Sequence, residues 1–373
     1  MQRLLLLILL FVFHLTNAFP YIRVSLLTST PSNDEVYTVW GHSAVRVRTD
    51  STDVVYNYGV FMFDDGFVYK FVRGETDYWL EKESMGMARV EAIYKNVDLY
   101  EQVLNLSEEE ARSVYWLLEE NSQPQNRSYR YNFFYDNCAT RPRNLIEKAL
   151  GGIEYPVWNS EVTYRDEVHR MTADCPWLQF GIDLCLGSPT DEEVGDYGLM
   201  FIPSYLHDAY KDAVKLTGDK LVQTETLVVS AVPSEKELVL SPLFLFSLLC
   251  VFVTFLTWRK YRKGGNGRWL DSLLFVTLGM VGCLLFFLTF FSTHPCVSPN
   301  FNLLWANPLQ LLIPLALFVR KAATCLKGLL WANLFASGLV LAGWFVLPQE
   351  FHVANLPLIL MSMGRSLYML KKT

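Results

Sequence analysis

Among the 373 residues of this chain, Cys138 offers the most chemistry, in the run YNFFYDNCATRPRNLIEKALGG (131–152). Residues 139–150 read as a helix that Gly151-Gly152 would stop, and Asn137 fits as its N-cap. Pro142 falls in the first turn, where its missing N–H costs little. A thiol at that helix start faces the positive end of the helix dipole, which lowers its pKa and favours the nucleophilic thiolate. An inert cysteine buried at a packed helix end is the alternative, and these residues alone do not separate the two. The base that such a thiol needs would be a histidine. His42, in VYTVWGHSAVRVR, follows a glycine that permits close backbone approach and precedes a strand-like stretch. A neutral imidazole there could take the thiol proton and later activate the attacking group. The competing reading is a histidine satisfied by local hydrogen bonds. His169 and His207 are weaker rivals, because both sit among polar residues that suit a solvated surface.

These side chains need elements to hold them. The aromatic run 131–135 reads as a strand or a buried approach to the cysteine helix. Residues 36–47 and 54–58 carry β-branched and aromatic residues in short runs, as strands do. Ser107-Glu108-Glu109-Glu110 opens another helix with a capping-box pattern. No internal repeat, low-complexity tract or glycine-rich phosphate loop is visible.

Composition divides the chain. It is 51% apolar with a formal net charge of −6. Residues 19–237 hold 36 acidic and 20 basic residues, a net of −16, whereas the rest holds 2 acidic and 12 basic, a net of +10. The apolar fraction excludes an intrinsically disordered chain. The lack of a basic patch with interleaved aromatics argues against a nucleic-acid partner. Residues 1–18, MQRLLLLILLFVFHLTNA, have the pattern of a signal peptide or an uncleaved N-terminal anchor. After residue 237 the composition becomes apolar, and five membrane spans are expected at 238–258, 270–291, 308–319 (extended upstream), 329–347 and 356–370. Five basic residues lie between Arg259 and Arg268, three lie between Arg320 and Lys327, and the tail ends Lys371-Lys372-Thr373. The loops 292–307 and 348–355 have no basic residue. By the positive-inside rule, residues 19–237 and both of those loops lie on the exported side, with the C-terminus in the cytoplasm. The expected domains are thus 1–18, an exported domain 19–237 and a transmembrane domain 238–373.

Seven cysteines are present. Cys250, Cys283 and Cys325 lie in or beside apolar spans and read as small packing residues. Cys175 and Cys185 are an expected disulfide of the exported domain, which would face an oxidising compartment. Cys138 and Cys296 remain, either bridged to each other or with a reactive thiol among them. His294 lies in THPCVSPNFNLLWANP, an exported loop rich in polar and turn residues; it either lines a lipid or substrate cavity or is an ordinary connector. No cluster of zinc ligands stands out, so no metal or other cofactor is expected.

With WGHSAVRVR, VVYNYG, FVYKFVRGETDYWL and FFYDNCATRPRNLIEKAL in that order, the chain resembles the Lnb-type bacterial lipoprotein N-acyltransferases. The likeness spans most of residues 21–152, and the five-span region with its HP…NFNLLWANP loop fits it too. The resemblance implies an α+β fold: a circularly permuted papain-like (NlpC-like) exported domain, followed by a bundle of about five transmembrane helices. In that order the histidine strand precedes the cysteine helix, as in lecithin:retinol acyltransferase and the permuted NlpC-type enzymes. Carried over, it makes His42 the general base and Cys138 the nucleophile. Asn57, in VVYNYG, is the candidate for a third, orienting residue. Arg141 and Arg46 either support the site or meet a phosphate, or form plain salt bridges, and His294 is a candidate substrate contact. The implied reaction moves an acyl chain from a membrane phospholipid, through a Cys138 thioester, to the α-amine of a diacylglyceryl-cysteine lipoprotein. The implied location is the bacterial inner membrane, with the large domain in the periplasm. A membrane-tethered cysteine peptidase or amidase of the cell envelope, or a non-enzymatic lipoprotein-binding scaffold, are the rival readings.

Overall fold

A computed structural model describes residues 21–33, 35–232, 239–263 and 267–372. The expected leader, residues 1–18, and the composition change at 237–238 lie outside the described residues. In chain order the elements are β1 (Arg23–Ser29), β2 (His42–Arg48), β3 (Asp53–Val60), α1 (Phe67–Arg73), β4 (Asp77–Ser84), α2 (Met85–Tyr94), β5 (Leu99–Leu104) and α3 (Glu108–Asn121). There follow β6 (Ser128–Arg130), α4 (Thr140–Leu150), β7 (Ile153–Glu154), α5 (Tyr164–Met171), α6 (Pro176–Cys185), α7 (Gly195–Leu199), α8 (Pro203–Asp212), β8 (Val214–Lys215) and β9 (Val222–Val229). The last are α9 (Pro242–Lys263), α10 (Arg268–Phe291), α11 (Leu312–Phe318), α12 (Ala323–Ala342) and α13 (Asn355–Leu370).

The chain packs as two units that interleave along the sequence. The first takes residues 1–62, 77–159 and 196–233; the second takes 63–76, 160–195 and 234–373. The first unit is α+β, built on a seven-stranded sheet of order β6-β4-β3-β2-β1-β5-β9. All of its pairings are antiparallel, with Ser29 opposite His42 and Val45 opposite Tyr56. Strand alternation sends Leu26, Val45 and Tyr56 to one face, where they meet Val114 and Leu118 of α3, Ile146 of α4 and Leu206 of α8. Leu27, Ala44 and Val55 point to the other face and meet Met85 and Ala92 of α2. Full burial of one such aliphatic side chain is worth about 1.5–3 kcal/mol. Residues 36–47 do not form one strand. Thr38 Oγ1 donates to the carbonyls of Ser32 and Glu35 and folds 36–40 into a turn. Gly41 then takes φ 72°, and a Cβ there would sit 2.7 Å from the Ser29 carbonyl oxygen, so β2 starts only at His42. α3 opens with the expected Ser107–Glu110 capping box.

Among the described residues, the second unit contains four helical stretches long and apolar enough to cross a membrane: Pro242–Lys263, Arg268–Phe291, Phe301–Phe318 and Ala323–Ala342. The fifth expected span is α13, whose 16 residues make a rod of about 24 Å, short of a ~30 Å hydrocarbon core. The third stretch is broken, with two 3-10 turns (Phe301–Leu304 and Pro308–Leu311) leading into α11. Inside the bundle Asp271 of α10 and Arg365 of α13, both fully buried, form an ion pair of 2.6 Å. Elsewhere in this unit Arg165 is buried and donates to Asp183, Asp191 and Thr190, tying α5 to α6 and the turn after it.

The disulfide expected between Cys175 and Cys185 is not formed. Cys175 precedes the first residue of α6 and Cys185 is its last. Ten residues of helical rise separate them by about 15 Å, far beyond the ~7 Å that a disulfide tolerates between Cα atoms. Even spacing in sequence gave no hint that one rigid helix would hold the two apart.

Candidate active site

The cysteine sits where the chain turns into α4. The aromatic run before it is not a strand: Asn132 and Asp136 pair across a tight turn, and Asn132 Oδ1 accepts from the backbone N–H groups of Phe134 and Tyr135. Asn137 then locks the helix start. Its Oδ1 accepts from the N–H groups of Ala139 (2.8 Å) and Thr140 (2.9 Å), while its own N–H donates to Thr140 Oγ1 (2.8 Å). This is a reciprocal cap with threonine in the role that glutamate fills in a capping box. Asn137 Nδ2 donates to the carbonyls of Phe133 and Phe201, which fixes the turn in the unit's interior. Cys138 is therefore the first residue inside a capped turn, and its thiol is free and 8% exposed.

His42 opens β2. Its Nε2 lies 2.5 Å from Asn57 Oδ1 of β3. Asn57 Nδ2 in turn donates to Glu83 Oε1 of β4 at 3.3 Å, which orients the amide so that its oxygen faces the ring. Nε2 is then the nitrogen that donates to Asn57, and His42 also meets the Cys138 thiol. Burial alone would push the thiol up. The charge and hydrogen bond of His42, with the backbone N–H groups of Ser43 and Cys138, outweigh it and hold the thiol below its ordinary value. Burial would likewise lower His42, but the thiolate's charge and hydrogen bond, the Asn57 contact and Glu91 raise it to about 8. Each charge thus supports the other, the imidazolium lowering the thiol and the thiolate raising the imidazole.

Glycine is called for on β3 by the backbone rather than by lack of space. Gly59 of β3 has φ +89°, and a Cβ on it would lie 3.6 Å from Cys138 Cβ and 3.8 Å from the Tyr129 hydroxyl. That hydroxyl is buried and has no hydrogen-bond partner among the described residues. Burial pushes its pKa up, and the neighbouring Cys138 adds to the rise. Arg141 lies with its guanidinium carbon 3.5 Å from the centre of the Tyr129 ring and forms a two-bond pair with Asp136, both bonds 2.7 Å.

Of the residues singled out from sequence, Cys138, His42 and Asn57 are brought together, with Arg141 one side chain away through Tyr129. Arg46 is not. Four residues of strand, about 13 Å, separate it from His42, and its guanidinium is held by Asp53 and Glu101. His294 belongs to the second unit, where its Nε2 donates to the Phe71 carbonyl at 2.7 Å. His169 pairs with Asp183, and His207 lies between Asp208 and Glu225. Among the described residues no group of three or more His, Cys, Asp or Glu is placed to hold a metal. Tyr129, Gly59 and Glu83 went unread in the sequence. A glycine inside a strand pattern was a usable signal for close backbone approach, whereas nothing local marks Tyr129 or Glu83.

Two family models match the chain. The Lnb N-terminal periplasmic domain covers residues 13–168, and the Lnb transmembrane domain covers residues 234–373. No match was found among curated proteins or among solved structures.

Proposed function

The chain belongs to the Lnb family, a membrane protein with a periplasmic domain, and from that membership we propose that it is a lipoprotein N-acyltransferase working through Cys138, His42 and Asn57. One observation supports the chemical part: a free, buried thiol in the turn that Asn137 caps, near a histidine whose Nε2 is bound by Asn57.

The reaction runs in two halves. The Cys138 thiolate attacks the ester carbonyl carbon of a membrane phospholipid, and the carbonyl oxygen becomes an oxyanion. Backbone N–H groups beside Cys138 and the unpartnered Tyr129 hydroxyl are the donors at hand for it. The C–O bond then breaks, His42 gives a proton to the leaving glycerol oxygen, and a lysophospholipid departs from the acyl thioester. In the second half the α-amine of a diacylglyceryl-cysteine lipoprotein attacks the thioester carbonyl. His42, now neutral, takes the amine proton, the C–S bond breaks, and an amide leaves with the thiolate restored. Asn57 keeps the ring in place and stabilises the imidazolium in both halves. Both substrates are bilayer-bound, which gives the transmembrane domain its purpose. The loop charges support a C-terminus in the cytoplasm, and with it a location in the inner membrane.

The test is mass spectrometry of lipoprotein N-termini in a strain that depends on this protein for N-acylation. The wild type should yield triacylated N-termini, and Cys138→Ala and His42→Ala should yield diacylated ones. Triacylated N-termini from both variants would overturn the proposal. An intact N-acylation defect accompanied by cleavage of peptidoglycan fragments would move the same thiol to the hydrolase class.

A further inference from the structure

Within the second unit, α1 is an oddity. Its sequence is FVYKFVR, yet none of its seven residues is buried. Val68 is 73% exposed, Tyr69 60% and Phe71 49%, and Phe63 just before the helix is 71% exposed. Water would penalise so dense a cluster of uncovered apolar side chains. The helix is nevertheless firmly placed. Gly74 ends it in the left-handed region, and a Cβ on Gly74 would meet the His294 nitrogen and Thr293 Oγ1 at 2.8 Å. The Thr293 N–H donates to the Arg73 carbonyl, Thr293 Oγ1 donates to the carbonyls of Arg73 and Gly74, and His294 caps the Phe71 carbonyl. Tyr69 packs on Phe287, in the last turns of the spanning helix α10.

Those contacts fix the depth of α1. Thr293 and His294 directly follow the end of α10, on the side that the loop charges assign to export. The outer surface of α10 there is itself apolar and uncovered, with Phe290 62% and Phe291 58% exposed. The exposed face of α1 continues that lipid-facing surface at its upper rim. Aromatic residues at the rim of a span, with Lys70 and Arg73 beside them, are the composition of a segment lying in the headgroup layer. We propose that α1 is an interfacial segment, with Phe63, Val68, Tyr69 and Phe71 inserted among the phospholipids of the exported leaflet, and that His294 with Thr293 is the clasp holding it there.

The experiment uses the full-length protein in phospholipid nanodiscs. A photoreactive p-benzoyl-phenylalanine replaces Val68, Tyr69 or, as a reference inside a span, Leu284, which is 44% exposed on α10. After irradiation, mass spectrometry should find phospholipid adducts at positions 68 and 69 in yields within about threefold of position 284. Lipid adducts at 284 with none at 68 or 69 would overturn the proposal. This readout does not depend on Cys138, so it stands or falls apart from the assigned reaction.

Discussion

Removal of the Asn57 side chain by Asn57→Ala should separate a working catalytic pair from a merely well-packed one. The bond lost is the 2.5 Å contact to His42 Nε2, whose donor is charged when the imidazolium forms. A hydrogen bond to a charged group contributes about 1.5–3 kcal/mol, which corresponds to a rate loss of about 10- to 150-fold in thioester formation. The same bond is one of the causes that hold His42 near 8. Without it His42 falls, its positive charge is less available to the thiol, and Cys138 rises towards the ordinary thiol value. Iodoacetamide alkylation of Cys138 as a function of pH measures that directly, because only the thiolate reacts. The wild-type profile should rise at a pH below that of a free cysteine, and the rise in Asn57→Ala should move to higher pH. Glu83, whose carboxyl is pushed up by burial and by Glu91, would lose its Asn57 partner as well and be pushed further. An alkylation profile and an acylation rate both unmoved by Asn57→Ala would refute the assignment of the ring nitrogens.

Three more expectations follow from the same geometry. Tyr129→Phe should slow thioester formation by about a hundredfold if the hydroxyl meets the oxyanion; because that hydroxyl is buried without a partner, thermal stability should be unchanged or higher. Gly41→Ala forces a Cβ against the Ser29 carbonyl at 2.7 Å and a residue into φ 72°, so it should cost about 1–3 kcal/mol of stability, measured by denaturant unfolding, and lower activity with it. His169 is lowered by burial, but its hydrogen bond to Asp183 and the charges of Asp183 and Glu350 together outweigh it, for a net rise. A raised pKa in the folded state adds stability that is full below the unfolded value and is lost as pH climbs through the folded one. The melting temperature gap between wild type and His169→Gln should therefore be widest in mild acid and shrink towards alkaline pH, and a gap that widens with pH would contradict the pairing.

Much of the site was legible because it is encoded locally. The Asn137 cap, the Gly151 stop and the Ser107 capping box are short-range rules, and the helix they delimit presents Cys138 at its start. His42 could be found from its glycine and the strand after it. What stayed hidden depends on chain segments far apart. Glu83 reaches Asn57 only through the β3–β4 register, and Tyr129 reaches Cys138 only because β6 pairs with β4. The strand reading of 131–135 failed for a related reason, since Asn132 recruits the backbone into a turn that aromatic content does not reveal. The membrane helices were legible from hydropathy, but their ends were not. The helix expected at 329–347 runs from Ala323 to Ala342, because the glycine-led turn after it takes residues 343–347.

The clasp on α1 also sets a timetable. Thr293 closes on Arg73 across 220 residues of chain. At about 5–20 residues per second of synthesis, α1 waits on the order of 10–40 s for the partner that holds it. Over that interval the sheet of the first unit cannot be completed through β3 and β4 without a loose, apolar hairpin hanging between them. Nor can the second unit be made alone from residues 234–373, because α1, α5 and α6 are part of it and were translated earlier. A gene cut at the change in composition would leave the first unit whole in one fragment and divide the second between the two. Assembly of this chain is therefore a process that ends, rather than begins, with the membrane helices.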